Sequence, residues 1–518
     1  MRETSGWVTT VALPPPSLKD NTSDAGRLTG ALQKMLQAEG IRLDLDLLKV
    51  LPDRLRRWHY RARCVLFRDR NLWQVIGISD PDAERALAGL AIDLGTSRVV
   101  LRIVDLVTQE ILIETAFNNP QITVGPDVLA RIHHTDKEAG LAQLNRLIID
   151  RLNLAIEAAA NEVGLEREDI YLLAVAGNTT MGHLFMGLDP HWIIREPYIP
   201  VVNRPDPMMA RDLGLNVNPL ARVLVLPNIG SYFGGDLIAG ILHAGLHTSA
   251  DTAILVDVGT NAEVVLGNNQ WLIACAGAAG PALEGGVTRM GMMAEPGVID
   301  RIAIDPASRR FTLHTIDDKT PKGICGSGLI DLAAQLFLTG MIDLRGRLVP
   351  ATCGKRLQEI DGIAYLTVVP ADQSATGQDL GISQIDLDSL IRSKAAMYTI
   401  LETLTASVGM RPEELETFFV AGTFGSFIKP ESAITVGMLP DLPLARYHSL
   451  GNSSLGGATR VLCDIKALDE LDQIRDRITY LELNVNQDFM NRFSAAKFIP
   501  HTNTLLFPSV QPVNSASE

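Results

Sequence analysis

Two apolar stretches of this chain are interrupted in the same way. "LAIDLGTSRVVLRI", residues 90–103, and "ILVDVGTNAEVVL", residues 254–266, each run through aliphatic residues into Asp-x-Gly-Thr and out into a second apolar run. A strand that bends on a glycine and re-enters apolar sequence reads as a β-hairpin. The two acids, Asp93 and Asp257, lie 164 positions apart. A second pair of segments repeats as well. "VGLEREDIYLLAVAG", residues 163–177, aligns without gaps to "VGMRPEELETFFVAG", residues 408–422, at an offset of 245. Each follows a helical pattern, so each half closes as helix, polar bend, buried strand, glycine. The offsets differ by 81 residues, which places an insertion in the second half within roughly 266–388. The expectation is an α/β chain of two duplicated lobes, the second enlarged.

The segment before the lobes has a different texture. "VALPPPSLKDNTSD" reads as an extended stretch, a proline run and a polar cap. "SDAGRLTGALQKMLQAEG" places Leu28, Leu32 and Leu36 at helical spacing, and "ARCVLFRD" and "LWQVIGISD" read as strands. The predicted organisation is a linker segment 1–22, a small α/β domain 23–86, a first lobe 87–250, a second lobe 251–502 with its insertion at about 267–388, and a flexible tail 503–518.

A formal charge of -14 and a pI near 5.2 argue against a surface built to neutralise phosphate backbones, so no nucleic acid partner is expected. The N-terminal residues lack a secretory pattern, and no uncharged apolar run approaches the ~18 residues of a membrane span. A cytoplasmic protein without membrane contact is the expectation. The five cysteines, Cys64, Cys275, Cys325, Cys353 and Cys463, form no C-x-x-C pair, which fits reduced thiols and leaves no local cluster-binding loop. His133 and His134 have no third ligand nearby in sequence and are assigned no metal. "RLRRWHYRARC", residues 54–64, reads as a strand edge or a docking patch for an acidic protein.

The paired bends suit a polyphosphate. Gly95 and Gly259 allow main-chain N–H groups to approach phosphate oxygens, and Thr96, Ser97, Thr260 and Asn261 add side-chain donors. A bare carboxylate beside phosphate repels it, so Asp93 and Asp257 make sense with hydrated Mg²⁺ interposed, bound through water. Either acid could instead orient an attacking water, or bond backbone N–H groups of its own turn. Gly422, Thr423 and Gly425 in "VAGTFGSFI", and Gly456 and Gly457 in "GNSSLGGA", offer backbone surfaces for a base and ribose. Glu284 in "GPALEGG" could orient nucleotide or water, or cap a helix. In "GNTTMGHL", His183 among apolar neighbours reads as a hydrogen-bonded core residue, and Asn178 as a candidate functional one.

At these residues the chain resembles the actin, sugar kinase and heat-shock chaperone ATPase superfamily, the ASKHA group of ribonuclease H-like lobes. "NPQITVGPDVLARI" (119–132), "AVAGNTTMGHLFMGLDP" (174–190), "FGGDLIAGIL" (233–242), "AGPALEGG" (279–286) and "GICGSGLIDLAAQL" (323–336) resemble, more narrowly, the ATP-dependent reductive activators of corrinoid proteins. The resemblance implies ATP and Mg²⁺ as cofactors, catalytic roles for Asp93, Asp257 and Glu284, and a corrinoid methyl-carrier protein as partner, its Co(II) reduced to Co(I). Such activators typically carry a ferredoxin-like iron–sulfur domain before the linker and a small middle domain. With no cysteine-rich loop before Pro14, no iron–sulfur cluster is expected in this chain, and electrons are expected from a separate low-potential donor such as a ferredoxin. A homodimer is a family-level expectation. Cys275 and Cys325 are spaced as in a related group that shares one cluster across a dimer, yet their small apolar neighbours favour buried free thiols. The same phosphate clasp also serves sugar and carboxylate kinases and nucleotide-dependent binding switches.

Overall fold

A computed structural model describes residues 6–231, 233–258, 262–277, 288–422, 428–481 and 487–511. They fall into two units: the chain up to His243 with Ser453–Asp476, and Ala244–Asn452 with the chain from Arg477 onward.

The first unit opens with a four-stranded sheet in the order Val8–Ala12, Arg61–Asp69, Leu72–Ser79, Ile41–Leu43. Its helices, Asp24–Leu36 and Leu45–Arg57, are started by Ser23 and Asp44, whose side chains accept backbone N–H groups of the first turn. Leu28, Leu32, Leu51 and Leu55 are buried at helical spacing. The stretch 1–22, predicted as linker, contributes a strand to this sheet. Trp7 explains it: the ring is fully buried, stacks on Phe67 at 5.7 Å, and donates its indole N–H to the Val461 carbonyl at 3.0 Å.

The same unit holds a six-stranded sheet in the order Ile111–Asn118, Arg98–Asp105, Ala88–Leu94, Ile170–Ala176, Arg222–Val225, Met208–Met209. Arg98–Asp105 is antiparallel to the strands on both its sides, and the next two continue parallel to Ala88–Leu94. The second unit repeats this order as Leu272–Gly277, Ala262–Gly267, Ala253–Val258, Thr417–Ala421, Tyr447–Gly451, with the same strand senses. Register agrees as well as order. Asp93 lies opposite Ala176, and Asp257 opposite Ala421. The two offsets read from the sequence thus describe one architecture used twice. Helices Gly140–Glu162 and Gln384–Ser407, 23 and 24 residues long, precede the fourth strand of each sheet, separated from it by the 3₁₀ turns Arg167–Asp169 and Pro412–Glu414.

The added elements of the second unit lie between strand Leu272–Gly277 and helix Gln384–Ser407. Leu272–Gly277 is the counterpart of Ile111–Asn118, so the added elements start beyond it. They comprise one three-stranded sheet of Phe311–Thr315, Val298–Ile304 and Gly323–Ile324, the buried helix Gly326–Leu338, and a second sheet of Leu357–Ile360, Ile363–Val369 and Leu380–Ser383. In the first lobe this connection carries only the turn Pro120–Thr123 and the helix Val128–Thr135.

Two further expectations need correcting. Residues 453–476, assigned by sequence to the second lobe, group with the first unit. Helix Ser453–Cys463 packs on strands Ala88–Leu94 and Ile170–Ala176, burying Leu455, Ala458 and Leu462. Residues 503–511, predicted as flexible tail, are packed: Phe507 is buried against Tyr398, and Ser509 bonds Asp441 through its N–H and hydroxyl, both at 2.8 Å. Just before them, the buried Lys394 ammonium donates to the carbonyls of Phe498 and Pro500.

Candidate functional site

In a parallel sheet, ligands are met at the carboxyl ends of the strands, where loops can converge. Ala88–Leu94 and Ile170–Ala176 run parallel, so Asp93, the bend 95–97 and Asn178 all emerge at this end of the first lobe. The bend has to carry glycine. A β-carbon on Gly95 would sit 2.3 Å from the Arg98 carbonyl oxygen, far inside contact distance.

Three groups fasten the bend from the protein side. The Gly95 carbonyl accepts from Asn119 Nδ2 at 2.9 Å, the Thr96 carbonyl from Arg131 Nη2 at 2.7 Å, and the Ser97 carbonyl from the Asn119 backbone N–H at 2.9 Å. Asn178 Nδ2 donates to Thr96 Oγ1 at 3.0 Å, while Asn178 Oδ1 accepts the Met181 N–H and caps helix Thr179–Met186. The half-buried Asp93 accepts a hydrogen bond at Oδ1 from Ser454 Oγ, 2.9 Å away in the first turn of helix Ser453–Cys463. That position at a helix N-terminus favours a carboxylate.

Asp257 occupies the matching position in the second lobe, beside Gly422. Gly422 has a φ of 79°, and a β-carbon there would stand 2.9 Å from Asp257 Oδ1. Both the backbone conformation and the neighbouring carboxylate therefore require glycine. Gly259, Thr260, Asn261, Glu284, Thr423 and Gly425 lie outside the described residues. Gly456 and Gly457, assigned from sequence to base and ribose, have another reason to be glycine. β-Carbons there would stand 2.5 Å from His243 Nδ1 and 2.1 Å from the Ala239 carbonyl oxygen, so their smallness lets helix Ser453–Cys463 cross helix Gly235–Ala244 within the first unit.

The sequence points to Asp93, Gly95, Thr96, Ser97 and Asn178, and the structure brings them together. It also adds Asn119, Arg131 and Ser454. Asn119 and Arg131 stand in "NPQITVGPDVLARI", whose alternation of prolines, glycine and polar residues signals a turn without saying what it braces. Ser454 precedes the glycine pair that drew attention to its segment.

The remaining polar candidates are structural. His183 is fully buried, Nδ1 at 2.8 Å from the Thr179 carbonyl and Nε2 accepting the Val201 N–H at 3.0 Å, so its proton sits on Nδ1. Burial pushes its pKa down and keeps it neutral. All five cysteines are free thiols. Burial pushes Cys275 up to about 12, and Cys325 is buried beside Ser327 Oγ at 3.1 Å. The arginines of residues 54–63 are largely engaged locally. Arg56 pairs with Asp24, Arg61 with Asp82, and Arg54 and Arg63 reach the carbonyls of Ile78 and Pro81.

Among the described residues no group of three or more His, Cys, Asp or Glu side chains is placed to hold a metal. The donor set at the first bend, the Asp93 carboxylate with the Ser454 hydroxyl bonded to it, fits a hard cation that retains most of its water, as Mg²⁺ does. No helix among the described residues is long and apolar enough to cross a membrane.

Comparison with known proteins gives three family matches in chain order: the RACo linker region at residues 3–85, the RACo middle region at 88–249, and the C-terminal domain of RACo, the ASKHA domain, at 251–511. Over 424 residues the chain is 29% identical to the corrinoid activation enzyme RamQ of Eubacterium limosum, covering 80% of this chain and 71% of that protein. Over 440 residues it is 23% identical to the [Co(II) methylated amine-specific corrinoid protein] reductase of Methanosarcina barkeri, covering 78% and 75%. A solved reductive activator for a corrinoid, iron-sulfur protein matches with a TM-score of 0.88 at 37% identity, over 98% of this chain and 81% of that one.

Proposed function

We propose, from the premise that this chain belongs to the RACo family, that it is an ATP-dependent activator that returns the inactive Co(II) corrinoid of a methyl-carrier protein to Co(I). The observation that carries the reading is the likeness to a solved reductive activator along 98% of the chain at 37% identity. One electron passes from a separate low-potential donor to cobalt, while ATP and water become ADP and phosphate. ATP supplies free energy and no electrons.

The bend at residues 95–97 receives phosphate oxygens on its N–H groups and hydroxyls; Asp93 would hold water of the nucleotide's Mg²⁺, and Asp257 is the corresponding acid of the second lobe. That cation, when bound, neutralises the phosphates that the two carboxylates would otherwise repel. Either acid would hold water of the cation's shell or orient the attacking water. Glu284 serves in orienting nucleotide or water.

The magnitudes permit such coupling. Reversing a two-state equilibrium from 1:99 to 99:1 takes about 5.5 kcal/mol. Four decades correspond to about 240 mV for a one-electron couple at about 59 mV per decade. A nucleotide-driven change in cobalt ligation of that size would bring Co(II) within reach of a ferredoxin-type donor.

The test mixes the protein with ATP, Mg²⁺, a low-potential donor and a Co(II) carrier and follows the Co(I) absorption band. An ATP-dependent rise is expected. No rise across several carriers and donors would remove the reductive role.

A further inference from the structure

We propose that Arg131 is a positioning residue that shapes and charges the bend 95–97 for phosphate, an inference that rests on the ATP reading above. Arg131 is fully buried on helix Val128–Thr135. Its guanidinium donates to the carbonyls of Gly125 at 2.9 Å and Thr96 at 2.7 Å, to Gln121 Oε1 at 3.2 Å and to Met181 Sδ at 3.1 Å. Every one of these acceptors is neutral. Asp127, the nearest acid in sequence, caps the helix through the Ala130 N–H at 2.8 Å. Buried guanidinium groups ordinarily face a carboxylate, because an unpaired charge is costly to desolvate. Here Gln121, itself buried and anchored by Nε2 to the Leu144 carbonyl at 2.9 Å, fills the place such a partner would take.

The geometry of the bend gives that charge a use. In a planar trans peptide the carbonyl and the following N–H point in opposite directions. Asn119 and Arg131 draw the carbonyls of Gly95 and Thr96 into the protein, which turns the N–H groups of Thr96 and Ser97 away from it. Neither N–H has a hydrogen-bond partner among the described residues. Two donors without a partner among the described residues, backed by a buried cation whose hydrogen-bond acceptors there are all neutral, form an anion-binding concavity whose field is directed at the ligand.

Arg131→Met, Arg131→Lys and Gln121→Glu test this, each verified as folded by thermal denaturation, with calorimetric titration of MgATP and of adenosine and with ATPase KM and kcat. Gln121→Glu is the sharper change, because it keeps the shape and sets a carboxylate against the cation. Arg131→Met and Gln121→Glu are expected to weaken MgATP about ten- to hundredfold, mainly in KM, and to leave adenosine binding unchanged; Arg131→Lys is expected to recover most of the loss. Equal losses for MgATP and adenosine, or no loss for either in folded Gln121→Glu, would overturn the role of Arg131. Failure of the wild-type protein to bind MgATP would instead overturn the ATP reading, and this inference with it.

Discussion

The two lobes place the same acid at the end of the same strand, and the described residues around the two acids differ. In the first, a serine hydroxyl meets Asp93, and the adjoining bend is clamped through its carbonyls by Asn119 and Arg131. In the second, Asp257 is crowded by a glycine in the left-handed region, Gly422. Sheet order and register survive duplication because changing them would move every side chain to the wrong face. The residues around the acids are under no such constraint: Gly422 has a positive φ, and Gly177, its counterpart in the first lobe, does not.

Substitution of the acids should show how far that difference reaches. Asp93→Ala combined with Asp257→Ala should abolish MgATP turnover, by at least about 10²–10³-fold in a phosphate-release assay. Comparing Asp93→Asn with Asp257→Asn then sharpens the comparison: if the acids divide cation-holding from water-orienting, one variant should fall mainly in MgATP affinity and the other mainly in kcat. Identical losses in both would break it.

Gly422→Ala should come next, since it combines a positive φ with a contact of 2.9 Å to a carboxylate oxygen. A loss of about 1–2 kcal/mol in denaturant unfolding is expected from the backbone alone, together with weaker MgATP binding. Ser454→Ala removes one hydrogen bond to a carboxylate. It should lower stability in denaturant unfolding by up to the ~1.5–3 kcal/mol such bonds contribute, and lower kcat/KM by about tenfold. A smaller loss would show that Asp93 is held adequately without it.

The smallest effect is a pH dependence in the first lobe. His183 is neutral when folded because burial lowers its pKa below the ordinary 6.5. The unfolded chain therefore takes up the proton first as pH falls. The stability from this group is fully present above about 6.5 and diminishes as pH drops below it. His183→Gln should be less stable at pH 8 and show a flatter decline between pH 7 and 5, measured by thermal denaturation.

The parts of the molecule that repeat were legible in the sequence, because a repeat carries its own control. The bends around Asp93 and Asp257 and the segments ending at Gly177 and Gly422 gave two offsets, and the strand registers reproduce both. Contacts between distant segments were not legible. The apolar residues of helix Ser453–Cys463 suit a sheet face equally well in either lobe, and periodicity says which residues are buried without saying against what. Gly456 and Gly457 show the same limit: glycine announces that something comes close, and here a helix does so. Arg131 was hidden for a related reason, since an arginine in an amphipathic helix reads as solvated until its surroundings are known. The packing of residues 503–511 rests mainly on Phe507, a single aromatic in an otherwise polar stretch.

The late arrival of Ser453–Cys463 has a consequence for biosynthesis. Asp93 and the serine that bonds it are 361 positions apart. At a translation rate of about 5–20 residues per second, the ribosome needs on the order of tens of seconds after finishing the first sheet before the helix that covers it leaves the exit tunnel. During that interval the nascent chain carries a naked aliphatic surface, so the amino-terminal half is the natural client for a chaperone, and a gene fragment ending near residue 250 should yield aggregates rather than a usable half-protein.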